Sequence, residues 1–453
     1  MKIGIIGSGP GGYVAALRGA QLGAEIVIFE KENLGGVCLN KGCIPTKAII
    51  SSINLLRQAK ESEKYGLKIE NVSFDISLII KRSEQIVNQL RQGINYLLKK
   101  RNVNLITGNA KILKPNLIEI KNKNGNLEQM EFDKIIIASG SSPFKPSFFP
   151  FDQDKILISD EILKIEKVPE SLIIIGAGAI GIEFATIFAE LGTSVTLIEM
   201  MPQILPEEDD EIVDILFKEM KKKIKIKTNT KIEKISIKDG FPLIETSQGE
   251  KLKAEKVLVV VGRDINNESF KKLNILMDEK YIKTNNKMET SISGIYAIGD
   301  LTGPPFLAHK ASAQGIVAIQ NALEKETIMN NVIPSCIFSF PEIARVGLTE
   351  KQVQEKKYQY KIGKFPFQAI GKAITSGEYV GMVKVIVDAE TNKILGAHII
   401  GNNASNLIHE IALAIKSEIS VEDVATLIHA HPTLSEGIAE ACDAVFGRQI
   451  HYV

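Results

Sequence analysis

Two stretches of this chain repeat one another, and the repeat constrains the fold more than any other feature. The first runs Ile5-Ile6-Gly7-Ser8-Gly9-Pro10-Gly11-Gly12, continues through an Ala-rich apolar run to Leu22-Gly23, and closes on Ile26-Val27-Ile28-Phe29-Glu30. The second runs Ile174-Ile175-Gly176-Ala177-Gly178-Ala179-Ile180-Gly181, then Phe184 to Leu191, Gly192, and Val195-Thr196-Leu197-Ile198-Glu199. Gly7, Gly9, Gly12, Gly23 and Glu30 recur at 176, 178, 181, 192 and 199, each 169 positions on. Each copy predicts a buried strand, a glycine turn, a helix, a second strand and an acid at its end. Such a unit belongs to a parallel α/β sheet.

Each glycine has a physical reason. The first permits a tight turn out of the strand, the second lets backbone approach a pyrophosphate, and the third lets helix and strand pack closely. The helix N-terminus then presents free N–H groups and a positive dipole end to phosphates. An acid about 20 residues on accepts from ribose hydroxyls, and Glu30 and Glu199 stand there. One such glycine pattern is weak evidence, but two with matching flanks predict two dinucleotide sites. A carboxylate at 199 suits a free 2′-hydroxyl and repels a 2′-phosphate, which favours NAD over NADP at the second site.

Further apolar runs, Lys134 to Gly140 and Val257 to Gly262, read as buried parallel strands, one closing each unit. Gly294 to Asp300 is a third. Its Asp300 stands where ligands meet strand ends, although on spacing alone it reads more readily as a turn residue before Gly303-Pro304-Pro305. Residues 51–100 read as helical, and Lys121 to Asn126 as a hairpin turn. The charged run Glu207 to Lys227 reads as a solvated helix face. Gly381 to Ile400 reads as two strands about an Asp388 to Lys393 turn, followed by helices over Leu407 to Lys416 and Val421 to Ile428. The tail is thus expected to form a separate layer.

Composition excludes several classes. Lys and Arg number 55 against 54 Asp and Glu, so no overall positive field points to nucleic acid. Four cysteines in 453 residues are too few for a disulfide-stapled secreted scaffold. The chain starts directly on an apolar strand, with no secretory leader pattern and no apolar run long enough to span a membrane. The expectation is a cytoplasmic protein with no membrane partner.

Two of the cysteines, Cys38 and Cys43, lie five residues apart just beyond Glu30. In a regular helix such residues lie about 8 Å apart at Cα, beyond disulfide range, so the segment must bend to pair them. Gly42 allows that bend. Pro45 is tolerated in the first turn of a helix, which would put Cys43 at a helix N-terminus, where thiolate is favoured. The alternatives are two buried thiols or half of a metal site. Cys336 and Cys442 are isolated, read as core residues, and complete no ligand set, so no metal is expected. The tail also carries His429-Ala430-His431-Pro432-Thr433-Leu434-Ser435-Glu436. On spacing alone, His431 is either a surface residue before a proline turn or a base held by Glu436.

The run Gly35-Gly36-Val37-Cys38-Leu39-Asn40-Lys41-Gly42-Cys43-Ile44-Pro45-Thr46-Lys47 closely resembles the redox-disulfide motif of the pyridine nucleotide–disulfide oxidoreductases, especially their dihydrolipoamide-oxidising branch. The likeness extends over essentially the whole chain. It implies an α/β fold with two Rossmann-like nucleotide-binding domains, for FAD and NAD, plus a C-terminal α+β dimerisation domain. The expected boundaries are 1–143 and 268–332 for the two parts of the FAD domain, 144–267 for the NAD domain and 333–453 for dimerisation. It implies FAD contacts at Gly7, Gly9, Gly12, Glu30, Lys47, Ser139, Gly140, Asp300, Ala308 and His309. It implies NAD contacts at Gly176, Gly178, Gly181, Glu183, Glu199 and Gly262. Lys47 is expected beside the flavin, paired with Glu183. The catalytic set is Cys38, Cys43, His431 and Glu436, with the last two acting on the disulfide of the other subunit of an obligate homodimer. His429 is expected to be structural.

The resemblance also implies the chemistry. His431 deprotonates a dihydrolipoyl thiol, the thiolate attacks Cys38, Cys43 leaves, and electrons pass through FAD to NAD⁺. The expected partner is a lipoyl-bearing acyltransferase or carrier protein of a 2-oxo acid dehydrogenase or glycine cleavage system. The sequence departs from the family pattern at Ser139, at Gln314-Gly315, and at Gly262-Arg263-Asp264-Ile265-Asn266, which lacks the common proline. Two other readings compete: another NAD(P)H-dependent disulfide reductase of the same family, and a non-catalytic flavoprotein bound to a complex. Glu199 argues against the first, and the intact cysteines, His431 and Glu436 against the second.

Overall fold

A computed structural model describes residues 1–453. Its elements are strand β1 (Lys2–Ile6), helix α1 (Pro10–Gln21), β2 (Glu25–Glu30), α2 (Gly36–Lys41), α3 (Cys43–Lys60), α4 (Ile76–Lys100), β3 (Asn104–Thr107) and β4 (Lys134–Ile137). Next come β5 (Ile156–Leu157), β6 (Ser171–Ile175), α5 (Ala179–Glu190), β7 (Ser194–Ile198), α6 (Asp210–Met220), β8 (Lys225–Lys227) and β9 (Lys256–Val259). They are followed by β10 (Ile295–Ala297), α7 (Ala308–Ala322), β11 (Ser335–Ile337), β12 (Ile343–Gly347), β13 (Tyr360–Pro366), β14 (Met382–Asp388) and β15 (Ile394–Ile400). The chain closes with α8 (Ala404–Lys416), α9 (Val421–Ala425) and α10 (Glu436–Ala444).

The two repeats fold alike. β1 pairs in parallel with β2 and β4, and β6 pairs in parallel with β7 and β9. The first sheet runs β10-β4-β1-β2-β3, the second β8-β7-β6-β9-β5. The inner strands β1, β2, β4, β6 and β9 are buried on both faces, which explains their apolar runs. β10 returns to the first sheet from far downstream and places Asp300 beside the first glycine turn.

The third sheet, β11-β12-β15-β14-β13, is wholly antiparallel and packs against α8, α9 and α10. Helix α4 starts at Asp75, whose carboxylate accepts from the backbone N–H groups of Ser77 and Leu78. Helix α3 sits at the junction of all three layers. Its Ile49, Ile53 and Leu56 pack in one cluster with Phe184 and Phe188 of α5 and with Ile337 and Ile400 of the third sheet.

The charged run at 207–211 departs from its expected solvated face. Glu208 and Asp209 are buried, and they meet a row of bases on the third sheet. Arg345, His398, Lys384 and Lys364 are register partners across β12, β15, β14 and β13. Arg345 bonds Glu208 at 2.9 Å, Lys384 bonds Asp209 at 2.8 Å, and Lys364 bonds Glu211 at 2.7 Å. The acids are buried because a second layer supplies their counter-charges. Charge pattern alone does not show that layer.

No helix is long and apolar enough to cross a membrane.

Candidate active site

The repeat is reproduced atom by atom in its turns. Gly7 and Gly176 both have φ +103°, in the region that excludes most side chains. A Cβ on Gly12 would lie 1.9 Å from the Gly7 carbonyl oxygen, and one on Gly181 would lie 1.9 Å from that of Gly176. The third glycine is thus required inside the turn itself. The acids close each turn in the same way. Glu30 accepts from Ser8 N at 3.0 Å, and Glu199 accepts from Ala177 N at 2.7 Å. The second oxygen of each accepts from the backbone two residues on, Glu32 N at 2.8 Å and Met201 N at 2.9 Å.

One cavity of about 410 Å³ lies along the first turn, within the usual range for ligand sites. It runs from Glu30 past Gly7 and Gly9 to Asp300, and on to Cys38, Cys43 and Lys47. Ser139, Gly140 and Ala308 also line it. Glu183 reaches its wall from the start of α5, in the second unit. Gly12, Gly176, Gly178, Gly181, Glu199, Gly262 and His309 do not line it. The ring of His309 turns away, with Nε2 2.7 Å from the Pro334 carbonyl oxygen.

The shape suits an elongated dinucleotide lying on bare backbone. Gly9 and Gly36 touch so closely that a Cβ on Gly36 would meet Gly9 Cα at 2.5 Å. That contact seats the cysteine segment directly against the glycine turn. At the second turn, nothing lies within 4 Å of a Cβ on Gly178, so the backbone there is open for a ligand's close approach.

The cysteine segment bends where glycine permits. Gly42, at φ −145° and ψ −110°, separates α2 from α3. Cys38 lies on the first helix and Cys43 begins the second. Interaction with the neighbouring Cys38 thiol, with the nearby Lys47 ammonium and the helix N-terminus, pulls the Cys43 thiol down to about 7 against the opposing effect of burial. The same partnership, with burial, pushes Cys38 up. One thiol is poised as thiolate and the other as its proton-bearing neighbour.

Lys47, one turn into α3, lies 2.8 Å from both oxygens of Glu183. Glu183 is buried rather than solvated, and it also accepts from Phe338 N at 3.1 Å. The Lys47 ammonium stands 4.5 Å from the Phe338 ring centroid. Asp300 is held by the Ser141 hydroxyl, which itself accepts from Arg263 Nε at 2.7 Å. Arg263 and Ser141 lie outside the set of site residues that the sequence implies, since their contact joins distant segments. The family departures are accommodated. Ser139 and Asn266 bond each other's carbonyls at 2.7 and 2.8 Å, and buried Gln314 accepts from Gly299 N at 2.7 Å while donating to Thr302 at 3.0 Å.

Cys336 corrects an expectation. It lines the cavity and is only half-buried, with its thiol pushed up to about 11 by desolvation and nearby carboxylates. Cys442 is fully buried in the third layer.

His431 Nδ1 lies 2.8 Å from Glu436, at the start of α10. The side chain is 77% exposed and does not line the cavity of its own chain. Partial burial raises the Glu436 carboxyl, but bonds from His431 and Thr433 N outweigh it and hold the group below the usual range. His429, by contrast, is pinned between Glu410 at 2.8 Å and the Leu427 carbonyl at 2.9 Å.

Two nucleotide-type turns, a thiol pair beside one of them and a separate antiparallel layer define a nucleotide-dependent oxidoreductase working through sulfur. The chain belongs to the pyridine nucleotide–disulphide oxidoreductase family, whose model matches residues 1–315, with its dimerisation domain matching residues 333–442. Members of this family use FAD and NAD. The chain is 42% identical over 457 residues to a dihydrolipoyl dehydrogenase of Thermus scotoductus, covering 99% of this chain and 98% of that one. It is 40% identical over 466 residues to one of Bacillus subtilis, with the same coverage. Among solved structures, LpdA of Mycobacterium tuberculosis superposes with a TM-score of 0.92 at 24% identity, covering 98% of this chain and 99% of that one. The HOCl-induced flavoprotein disulfide reductase RclA of Escherichia coli, in its Cu(II) complex, gives 0.88 at 25% identity, covering 98% of both.

Proposed function

We propose that the protein oxidises dihydrolipoyl groups to the cyclic disulfide and passes the electrons to NAD⁺, as a homodimer in the cytoplasm. The carrying observation is that Cys38 and Cys43 share one cavity with the first glycine turn, with Cys43 poised as thiolate at a helix N-terminus. The glycine turn, Glu30 and Asp300 would hold FAD. The second turn, Glu199 and Glu183 would hold NAD. Bound FAD supplies the two-electron route between the thiol pair and NAD⁺.

The chain's own residues handle sulfur and protons. The Nδ1 hydrogen of His431 is donated to Glu436, which leaves the Nε2 lone pair as the base. Nε2 takes a proton from one substrate thiol, and that thiolate attacks Cys38. The Cys38–Cys43 bond breaks and Cys43 leaves as thiolate, stabilised by Lys47 and the start of α3. The second substrate thiol then attacks the first substrate sulfur, its bond to Cys38 breaks, and the proton that this thiol loses goes to the departing Cys38. The substrate dithiol has become a disulfide, and the enzyme disulfide a dithiol.

His431 is exposed and off its own cavity, so it serves the cavity of a second copy. The partner is a lipoyl-bearing acyltransferase or carrier protein, whose swinging arm suits a thiol pair set within a cavity.

The test is purified enzyme with free dihydrolipoamide and NAD⁺. NADH should form, and Cys38→Ser should abolish it. No NADH, together with NADPH-driven reduction of glutathione disulfide, overturns the proposal.

A further inference from the structure

Between the two cysteines lies Asn40, and its side chain is fully engaged. Its Nδ2 donates to the Gly36 carbonyl at 2.8 Å and to that of Leu34 at 3.1 Å. Those bonds fold the amide back over the first turn of α2, the short helix that carries Cys38. Its Oδ1 accepts from Arg91 of α4 twice, from Nε at 3.1 Å and from Nη2 at 2.6 Å. The remaining Arg91 contact is internal to α4, from Nη1 to Asn88 at 3.2 Å. All the side-chain contacts of this guanidinium therefore go to amides, and two of them converge on the segment between the thiols.

The consequence is mechanical. α2 has six residues, too few to be stable alone. Gly35 at its start and Gly42 at its end, with φ +98° and −145°, break its helical backbone from the elements on either side. α4 has 25 residues, is capped by Asp75, and packs against α3. Arg91 thus ties a weak element carrying one sulfur to a strong element packed on the helix that carries the other. A planar guanidinium donating through two nitrogens fixes orientation as well as distance, which a lysine ammonium does not.

We infer that Arg91 is a positioning residue for the redox pair, acting through Asn40 to hold Cys38 at closing distance from Cys43. The inference rests on the proposal that this pair cycles between disulfide and dithiol. Held sulfurs have a higher effective concentration toward one another, so the clamp favours the disulfide.

The test is equilibration of the holoenzyme with glutathione. The enzyme disulfide and two glutathione thiols exchange to the enzyme dithiol and one glutathione disulfide. The two forms are read by acid quench, alkylation and mass spectrometry, without reference to turnover. Arg91→Ala should shift this equilibrium about tenfold toward dithiol, equivalent to about 30 mV for two electrons. Arg91→Lys should fall between it and the parent. Asn40→Ala removes the same contact from the other side and covers the outcome in which Arg91→Ala fails to fold. It should shift the equilibrium at least as far, and adding Arg91→Ala to it should change nothing more. An Arg91→Ala equilibrium within twofold of the parent, a shift toward disulfide, or additive effects of the two substitutions would each overturn the inference. A parent enzyme whose cysteines never exchange overturns the redox reading itself, a distinguishable result.

Discussion

Lys47 and Glu183 meet across two units of the fold, 136 positions apart, with the ammonium 2.8 Å from both carboxylate oxygens. The carboxylate is buried and the lysine is about one-third exposed. Breaking such a pair from one side strands a buried charge. Lys47→Met should cost about 1–3 kcal/mol in urea unfolding, less than a fully buried pair because water reaches the lysine. Adding Glu183→Gln should recover part of that loss. Strict additivity in the double-mutant cycle would show that the pair is not coupled.

The thiol pair gives a pH signature. In the reduced enzyme the Cys43 thiol ionises near 7, below the ordinary thiol value. Thiolate should therefore accumulate as pH rises through 7 and vanish below it. Read by ultraviolet thiolate absorbance, this transition should move upward in the Cys38→Ala variant, which has no donor at 38, since interaction with Cys38 is the largest contribution lowering the thiol. An unmoved transition would assign the low value to Lys47 and the helix terminus alone.

The second glycine turn separates folding from binding. Gly181→Ala places a methyl 1.9 Å from a carbonyl oxygen, so it should lower thermal stability as well as NAD affinity. Gly178→Ala meets nothing within 4 Å and should leave the melting temperature within about a degree. It should nonetheless raise the KM for NAD⁺ about tenfold or more, because in the proposed site the methyl would stand where the pyrophosphate approaches. A Gly178→Ala enzyme with unchanged KM would move the site elsewhere.

His431→Ala and Glu436→Gln should differ in degree. Loss of the base should lower kcat for dihydrolipoamide by about 10²–10⁴. Glu436→Gln keeps the ring placed but weakens its charged form, so its loss should be smaller. Both variants should sediment as dimers. Equal losses would make Glu436 more than an orienting group.

His398 should shape the acid limb of stability. Its ring is buried beside Arg345 and Lys384, with Nε2 on the Leu348 carbonyl at 3.0 Å and Nδ1 without a partner. Burial holds it down to about 4. As pH falls below 6.5, the unfolded chain takes up this proton and the folded chain does not until about 4. Stability is therefore full above 6.5 and lost across that window, by about 2–3 kcal/mol. His398→Gln should flatten melting temperature against pH between those values. An unchanged slope would assign the acid limb to carboxylates.

Much of the working architecture is legible in the chain because it is local. Glycine turns, apolar strands and their terminal acids sit within 25 residues of one another, and their spacing carries the geometry. Cys38, Gly42 and Cys43 are legible for the same reason. Contacts between distant segments leave no such trace. Arg263 reaches Ser141 and Asp300 only after three segments converge. Cys336 reads as a core residue until folding sets it in the cavity wall. The acids at 208 and 209 look solvated because the bases that bury them arrive from another sheet, more than a hundred residues later.

That row of bases has a consequence for motion. Lys384, 1% exposed, has Asp209 and Glu350 as partners, and they outweigh burial to hold its ammonium above lysine's ordinary value. Swinging the second nucleotide unit away from the third sheet would leave that cation without its aspartate. The unit is moored at the prow of α6 rather than hinged there. The proposed sulfur and nucleotide sites of one chain would then keep fixed separations through the cycle, and the travelling would be left to whatever is flexible and foreign: the arm that brings the dithiol, and the cofactor that comes and goes.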